Sequence, residues 1–319
     1  MSGWRAALCV LVVPVCAAAV PLGGKQAVAL LDRVAAAAYR QSYSGIYQHQ
    51  YARSLMTYRL AHASGLGNPL EKRESLDDPP WEVVRDNQSL TVYAPDRQAL
   101  KAARTGAFQT FPSLFGDNRA EIARHYAVER IGKDRAAGRD CVWWQLTPRD
   151  AQRYPRRFCA DIRTSLILKS AILTADRQII DRLSFSELKL GKLGDLGQLQ
   201  PQYRDGAVWR MPVAAGDRGD GGRGIQIPGL PEGFSLQRDV SRRLLSGQQA
   251  VRHLVYSDGV ASLSVFIERV PDAVQPTAMQ NGAITLRSRK MGDILVTVVG
   301  DLPDNAVQSV SHTIILLRP

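Results

Sequence analysis

Histidine is scarce in this chain, with five in 319 residues at positions 49, 62, 125, 253 and 312. No two stand two or four apart, so the H-x-H and H-E-x-x-H patterns are missing and neither a metal site nor a cofactor is expected. The G-x-S-x-G elbow, the P-loop and the G-x-G-x-x-G fingerprint are missing too, which takes away the common hydrolase and nucleotide-binding readings. Long apolar runs are also lacking: the stretch Ala6 to Val15 falls short of the roughly 20 residues a membrane span needs.

That short run follows a basic start, Met1 to Arg5, and precedes Ala17-Ala18-Ala19, an A-x-A cleavage site. Together they read as a secretory signal peptide, residues 1–19, cleaved near Ala19 to give an exported protein. Lipidation at Cys16 does not fit, because Val13-Pro14-Val15 lacks the small residues that precede a lipidated cysteine. Of four cysteines, only Cys141 and Cys159 then remain, in an oxidising compartment where a pair is normally a disulfide. A hairpin pairing them directly turns at residue 150, within TPRDAQRYP, where Pro and Asp suit a turn. The net charge of +11 becomes +10 without Arg5, and its cations are scattered. Export argues against nucleic acid and leaves anionic lipid, an acidic segment or plain solubility.

After the signal, QAVALLDRVAAAAYRQ places Leu30 or Leu31, Val34, Ala35 and Ala38 on one helical stripe. From Tyr43 the period changes to two, in runs such as YSGIYQHQY, SLMTYRLAH, SLTVYAP, CVWWQLTP and QIIDRLSFSEL, separated by Gly, Pro and Asp signals. Within FPSLFGDNRAEIARHYAVERI a loop leads to a short helix capped by Asp117 or Asn118. So few helices cannot cover both faces of a flat sheet, which predicts an α+β fold with a large antiparallel half-barrel curled around helices. Apolar periodicity fades from Gly191, and AAGDRGDGGRG is a loop tract whose Arg218-Gly219-Asp220 triplet is a product of its composition. Strands resume after LPEGF, and Pro303 and Asp304 suit the first turn of a closing helix. The expected organisation is therefore a large domain over 20–190, a linker and Gly-rich loop over 191–229, and a smaller antiparallel sheet with a helix over 230–319.

His253, Ser257 and Asp258 contain the residue types of a hydrolase triad, but Ser257 and Asp258 sit in the turn before Gly259 and no oxyanion hole is at hand. No catalytic site is expected. A curled sheet can instead enclose an apolar interior, with Tyr47, Met56, Tyr58, Trp81 and Trp144 as lining. The same residues also suit a closed core. The loop AFQTFPSLF, with Phe108, Phe111 and Phe115, must tuck inward or cover something, and reads as a mobile lid.

The stretches YSGIYQHQ, EKRESLDDPPWEVVRDN, AGRDCVWWQLTPRDAQRYPRRFCADIRTSLILKSAIL, LPEGF and LVYSDGVASLSVFIE resemble the MucB/RseB family, in its order, across almost the whole mature chain. The Gly-rich insertion before LPEGF and the cysteine at 159 depart from the family pattern. The resemblance implies a periplasmic negative regulator of an envelope-stress sigma factor pathway, without enzymatic activity. Such a protein binds the periplasmic region of a membrane-spanning anti-sigma factor, shields it from proteolysis, and is released by lipid or lipopolysaccharide. It further implies that 20–190 is a LolA-like lipid-sensing domain and 230–319 a partner-binding one, and leaves a homo-oligomer open. From local character, Met56, Tyr58, Phe108, Phe111, Phe115 and Trp144 are expected on the lipid side, and Tyr256, Val260, Arg287 and Arg289 on the partner side. A lipid or lipoprotein carrier without a regulatory role is the alternative, and the second domain argues against it.

Overall fold

The computed structural model describes residues 20–65, 69–87, 89–106, 110–212, 221–243 and 250–317. Residues 1–19, expected as a signal peptide, Phe108 and the Arg218-Gly219-Asp220 triplet lie outside them. Helix α1 (Gly24–Arg40) leads into β1 (Tyr43–Tyr51), β2 (Ser54–Ala63), β3 (Leu70–Ser75), β4 (Glu82–Arg85) and β5 (Ser89–Ala94). Two short helices follow, α2 (Arg97–Gly106) and α3 (Arg119–His125), then β6 (Tyr126–Ala136), β7 (Arg139–Pro148), β8 (Arg156–Asp161), β9 (Ile167–Leu173), β10 (Ile179–Leu190) and β11 (Ala207–Pro212). These form one eleven-stranded antiparallel sheet in the order β11-β5-β4-β3-β2-β1-β10-β9-β8-β7-β6. Its end strands do not pair with each other, so the sheet is curled and open, as the strand-to-helix ratio predicts.

The stripe read from sequence is what α1 buries: Leu30, Leu31, Val34, Ala35 and Ala38 all join the large core. Asn118 caps α3 by accepting the Glu121 backbone N–H at 3.3 Å, which satisfies a donor that would otherwise be orphaned. Helix α2 had no counterpart in the sequence reading. Its signal is Asp96, whose Oδ1 accepts from the N–H groups of Gln98 and Ala99, both at 2.8 Å.

Cys141 and Cys159 form a disulfide. The directly opposed pairing expected from sequence is corrected: Cys141 faces Asp161 and Trp143 faces Cys159 across β7 and β8. The bridge therefore runs to the diagonal neighbour, with 5.4 Å between Cα atoms. The physical reason is that residues 149–155 turn about position 151 rather than 150, which moves the ladder by one residue on each side.

Residues 191–229, expected as linker, are tied down at several points. Gln202 and Tyr203 donate their backbone N–H groups to Glu82 Oε2 at 2.6 and 3.4 Å. Glu82 is buried and pairs with Lys72 at 2.6 Å, and Lys72 Nζ also donates to the Gln200 carbonyl. Strand β11 then pairs with β5 along its whole length.

The second sheet holds β13 (Ser235–Arg243), β14 (Ala250–Ser257), β15 (Ser262–Arg269), β16 (Ala278–Asn281), β17 (Ile284–Met291) and β18 (Ile294–Gly300), ordered β13-β14-β15-β18-β17-β16. Helix α4 (Asp304–Thr313) starts after Pro303 and packs Ala306, Val307 and Val310 onto Leu263, Val296 and Val298. A two-stranded ladder of β12 (Ile225–Gln226) and β19 (Ile315–Leu316) closes this domain. The core is separate from the large one, as two domains require.

Candidate functional site: a filled trough and the joint between domains

The concave side of the large sheet is lined with aromatic rings. Tyr47 faces Tyr58 across β1 and β2 with ring centroids 5.1 Å apart, and Tyr58 lies 5.6 Å from Trp81. Phe111 enters this group, 5.1 Å from Tyr47 and 5.0 Å from Phe185. Phe115 packs edge-on against Phe158 at 5.1 Å. Of the residues expected on the lipid side, Tyr58, Phe111 and Phe115 are buried in one core, and Met56 and Trp144 pack half-buried against it. Of the two readings of the Phe-rich loop, Phe111 follows the inward one: its ring is fully buried and packs between Tyr47 and Phe185.

A charged group sits in the same interior. Arg73 is 1% exposed and pairs with Glu71 at 3.0 Å. Burial would lower the Arg73 pKa, but the neighbouring tyrosines and Glu71 more than compensate and raise it. Burial pushes Tyr58 up to about 12, so its phenol stays protonated.

Three stretches that stood out in the sequence, PRD-x-x-RY, LPEGF and YSDG, converge where the domains meet. Arg153, from the β7–β8 turn, has a side chain with no exposed surface and donates from Nε to Asp258 Oδ2 at 2.7 Å. Its other nitrogens donate to Asp150 and to the Glu232 carbonyl. The guanidinium also lies over the rings of Phe234, at 5.2 Å, and Tyr126, at 5.9 Å, a geometry in which the ring face attracts the cation. Tyr126 donates its O–H to the same Asp258 oxygen at 3.0 Å. Burial and the Asp258 charge push the Tyr126 pKa well up, so this donor persists across the neutral range. Asp258 Oδ1 meanwhile accepts from the N–H groups of Val260 and Ala261, which shapes the turn.

The joint is also close-packed at the backbone. Gly116, directly after Phe115, donates its N–H to the Gly259 carbonyl at 2.8 Å. Gly259 has φ +92°, and a Cβ there would stand 3.2 Å from Ile122. At Gly233 in LPEGF, with φ +84°, a Cβ would lie 2.3 Å from His125 Nε2. Both positions require glycine for conformation and for space. Around this centre Arg156 donates to Asp301 at 2.5 Å, Asn305 to the Ala151 carbonyl at 3.1 Å, and Gln280 to Tyr154 Oη at 3.1 Å.

The residues expected on the partner side do not come together. Tyr256 is buried in the small domain's core and Val260 packs against the large one. Arg287 and Arg289 line a cleft on the small domain instead. Sequence reasoning also missed Arg153, since its mate Asp258 lies 105 residues away. Ser257 donates its hydroxyl to the Ala261 carbonyl at 2.8 Å, and His253 Nε2 lies 3.0 Å from Ser264 Oγ while the ring stacks on Phe266. The triad types are each engaged elsewhere.

Residues 26–204 match the MucB/RseB N-terminal domain and residues 222–315 the MucB/RseB C-terminal domain. The sigma factor AlgU regulatory protein MucB of Pseudomonas aeruginosa is 30% identical over 293 residues, covering 89% of each chain. The sigma-E factor regulatory protein RseB of Escherichia coli K12 is 22% identical over 302 residues, covering 93% of this chain and 92% of its own. The crystal structure of MucB in complex with MucA(peri) aligns over 92% of this chain and 100% of that chain, with a TM-score of 0.71 at 28% identity. The complex structure of Pseudomonas aeruginosa MucA/MucB gives a TM-score of 0.73 at 27% identity, over the same shares.

Proposed function

We infer, from the premise that this chain belongs to the MucB/RseB family, that it is a regulator which binds the periplasmic region of a membrane-spanning anti-sigma factor and shields it from regulated proteolysis. The observation that carries this reading is that both domains, in one arrangement, align with MucB as it stands in its complexes with MucA. Export to the periplasm, with cleavage near Ala19, completes the picture.

Lipid or lipopolysaccharide is the proposed releasing signal, and the geometry supports a route for it. An acyl chain entering the half-barrel competes with Phe111 for the space among Tyr47, Tyr58 and Phe185. Phe111 and Phe115 belong to one short loop that ends in the Gly116 to Gly259 hydrogen bond. Displacing the ring therefore pulls on the turn between β14 and β15, and through it on the small domain. By linkage, lipid and partner then weaken each other by the same factor, typically 5- to 150-fold. Each ligand needs only a different affinity for the two loop states.

The test mixes the mature chain with the periplasmic segment of the host's anti-sigma factor and titrates lipopolysaccharide. Complex formation reversed by lipid is expected. A complex indifferent to lipid removes the sensor, and acyl-chain binding without any complex favours a carrier.

A further inference from the structure

On the small domain, β17, the start of β16 and the end of helix α4 border a cleft of about 320 Å³. Its floor is Arg287, Ser288, Arg289 and Lys290, one rim is Pro276 to Ala278, and the other is Ser311 and His312 at the end of α4. Arg287 is neutralised by two hydrogen bonds to Asp304, at 2.7 and 2.5 Å. Lys290 donates to the carbonyls of Pro271 and Asp272 and has the exposed Asp272 carboxylate at 3.5 Å. Arg289 differs from both. Its partner is a neutral one, the His312 carbonyl at 2.5 Å, and no carboxylate pairs with it among the described residues.

A half-buried guanidinium whose partner is a carbonyl rather than a carboxylate keeps its charge and further N–H donors for an anionic ligand. The shape decides which kind. Arg287 and Arg289 are two apart on one strand, so they stand roughly 6.5–7 Å apart on the same face, the repeat of alternate side chains on an extended peptide. The cleft is an open trench beside β16, the last strand of its sheet.

We propose that this cleft binds an extended acidic peptide segment, with a carboxylate of the segment meeting Arg289. Resting on the proposed function, the segment is an acidic stretch of the anti-sigma partner. The cleft is then a second, electrostatic grip on that partner, apart from the joint.

Full mature protein carrying Arg289→Glu, or Arg289→Glu with Lys290→Glu, is compared with Lys192→Glu, an exposed charge reversal elsewhere. Affinity for the partner's periplasmic segment is measured at several salt concentrations, alongside a twelve-residue poly-glutamate peptide and vesicles containing anionic phospholipid. The expected result is at least a tenfold loss for the cleft variants, a flatter salt dependence, and less than a twofold change for Lys192→Glu. Partner binding that is equal in all variants overturns the cleft and leaves the proposed function standing. Should the partner segment not bind the parent protein, the proposed function fails. The cleft is then retained only if poly-glutamate binds and Arg289→Glu abolishes it, and is overturned otherwise. Loss of vesicle binding alone, with peptide binding intact, also overturns it.

Discussion

Replacing Asp258 by asparagine tests the joint by exchanging one heavy atom. The side chain keeps Oδ1 and its hydrogen bonds from Val260 and Ala261, so the turn itself has reason to survive. What changes is Oδ2, which becomes an NH2 facing two donors, Arg153 Nε–H and the Tyr126 hydroxyl. Leaving one member of a buried pair without its counter-charge destabilises by about 3–5 kcal/mol. Asp150 also bonds Arg153 and is 32% exposed, so it remains as a partial counter-charge and sets the expectation at the lower end. In thermal unfolding followed by circular dichroism, about 3 kcal/mol corresponds to a drop of roughly 6–12 °C at about 2–4 °C per kcal/mol. Arg153→Met in the same background removes the stranded charge while keeping most of the packing, so the double variant is expected to regain at least half of the loss. A single variant within about 1 kcal/mol of the parent, or a double variant no better than the single, refutes the reasoning.

Four further outcomes are expected. Phe111→Ala lowers stability by about 3–5 kcal/mol, and the vacated space raises affinity for a fluorescent fatty acid while partner affinity falls, both read by titration. Gly259→Ala places a methyl group against Ile122 at positive φ and destabilises by more than about 1 kcal/mol; denaturant unfolding measures this. Replacing Cys141 and Cys159 together by serine costs roughly 3 kcal/mol on the loop-entropy account and leaves partner affinity unchanged, since the bridge lies within the large sheet. For pH, hydrogen bonds from Arg252 are foremost in holding the Asp239 carboxyl below its ordinary range, against burial. Burial would raise Asp161, but Arg139 and the N–H groups of Thr164 and Arg163 lower it further. A depressed folded pKa stabilises above the unfolded value of about 3.9 and is lost as pH falls below it. The midpoint should therefore hold from neutrality to about pH 4 and then drop, and Asp239→Asn should lower it at neutral pH and flatten the acid fall.

What the sequence made legible was local. The α1 stripe, a cap at Asp117 or Asn118 and the turn at Ser257-Asp258-Gly259 each rest on neighbours a few residues apart, so pattern alone found them, and the structure selects Asn118. Strand β11 was missed because AVWRMP follows a Gly- and Gln-rich stretch, and its order depends on pairing with β5 more than a hundred residues earlier. The disulfide was placed by spacing, yet its register depended on where a seven-residue turn would centre. Asp258 read as a turn residue before Gly259, which is what its immediate neighbours support. Its second role, as the counter-charge of Arg153, exists only once two domains are folded against each other. Phe111 likewise read as lid or lining, and only packing decides that it fills the space it was expected to cover.

The way the chain is fastened on either side of residues 213–220 bears on how this protein can be made. Upstream, the Glu82 clasp and the β5–β11 ladder hold the chain as far as Pro212. Downstream, Gly222 N–H is caught by Asp239 and Ile225–Gln226 by β19. Both sets of contacts lie outside the segment between Pro212 and Gly221. Severing the polypeptide there, or expressing the halves as separate genes in one cell, should yield fragments that reassemble through the buried arginine and its neighbours, and co-purification of the two pieces would show it.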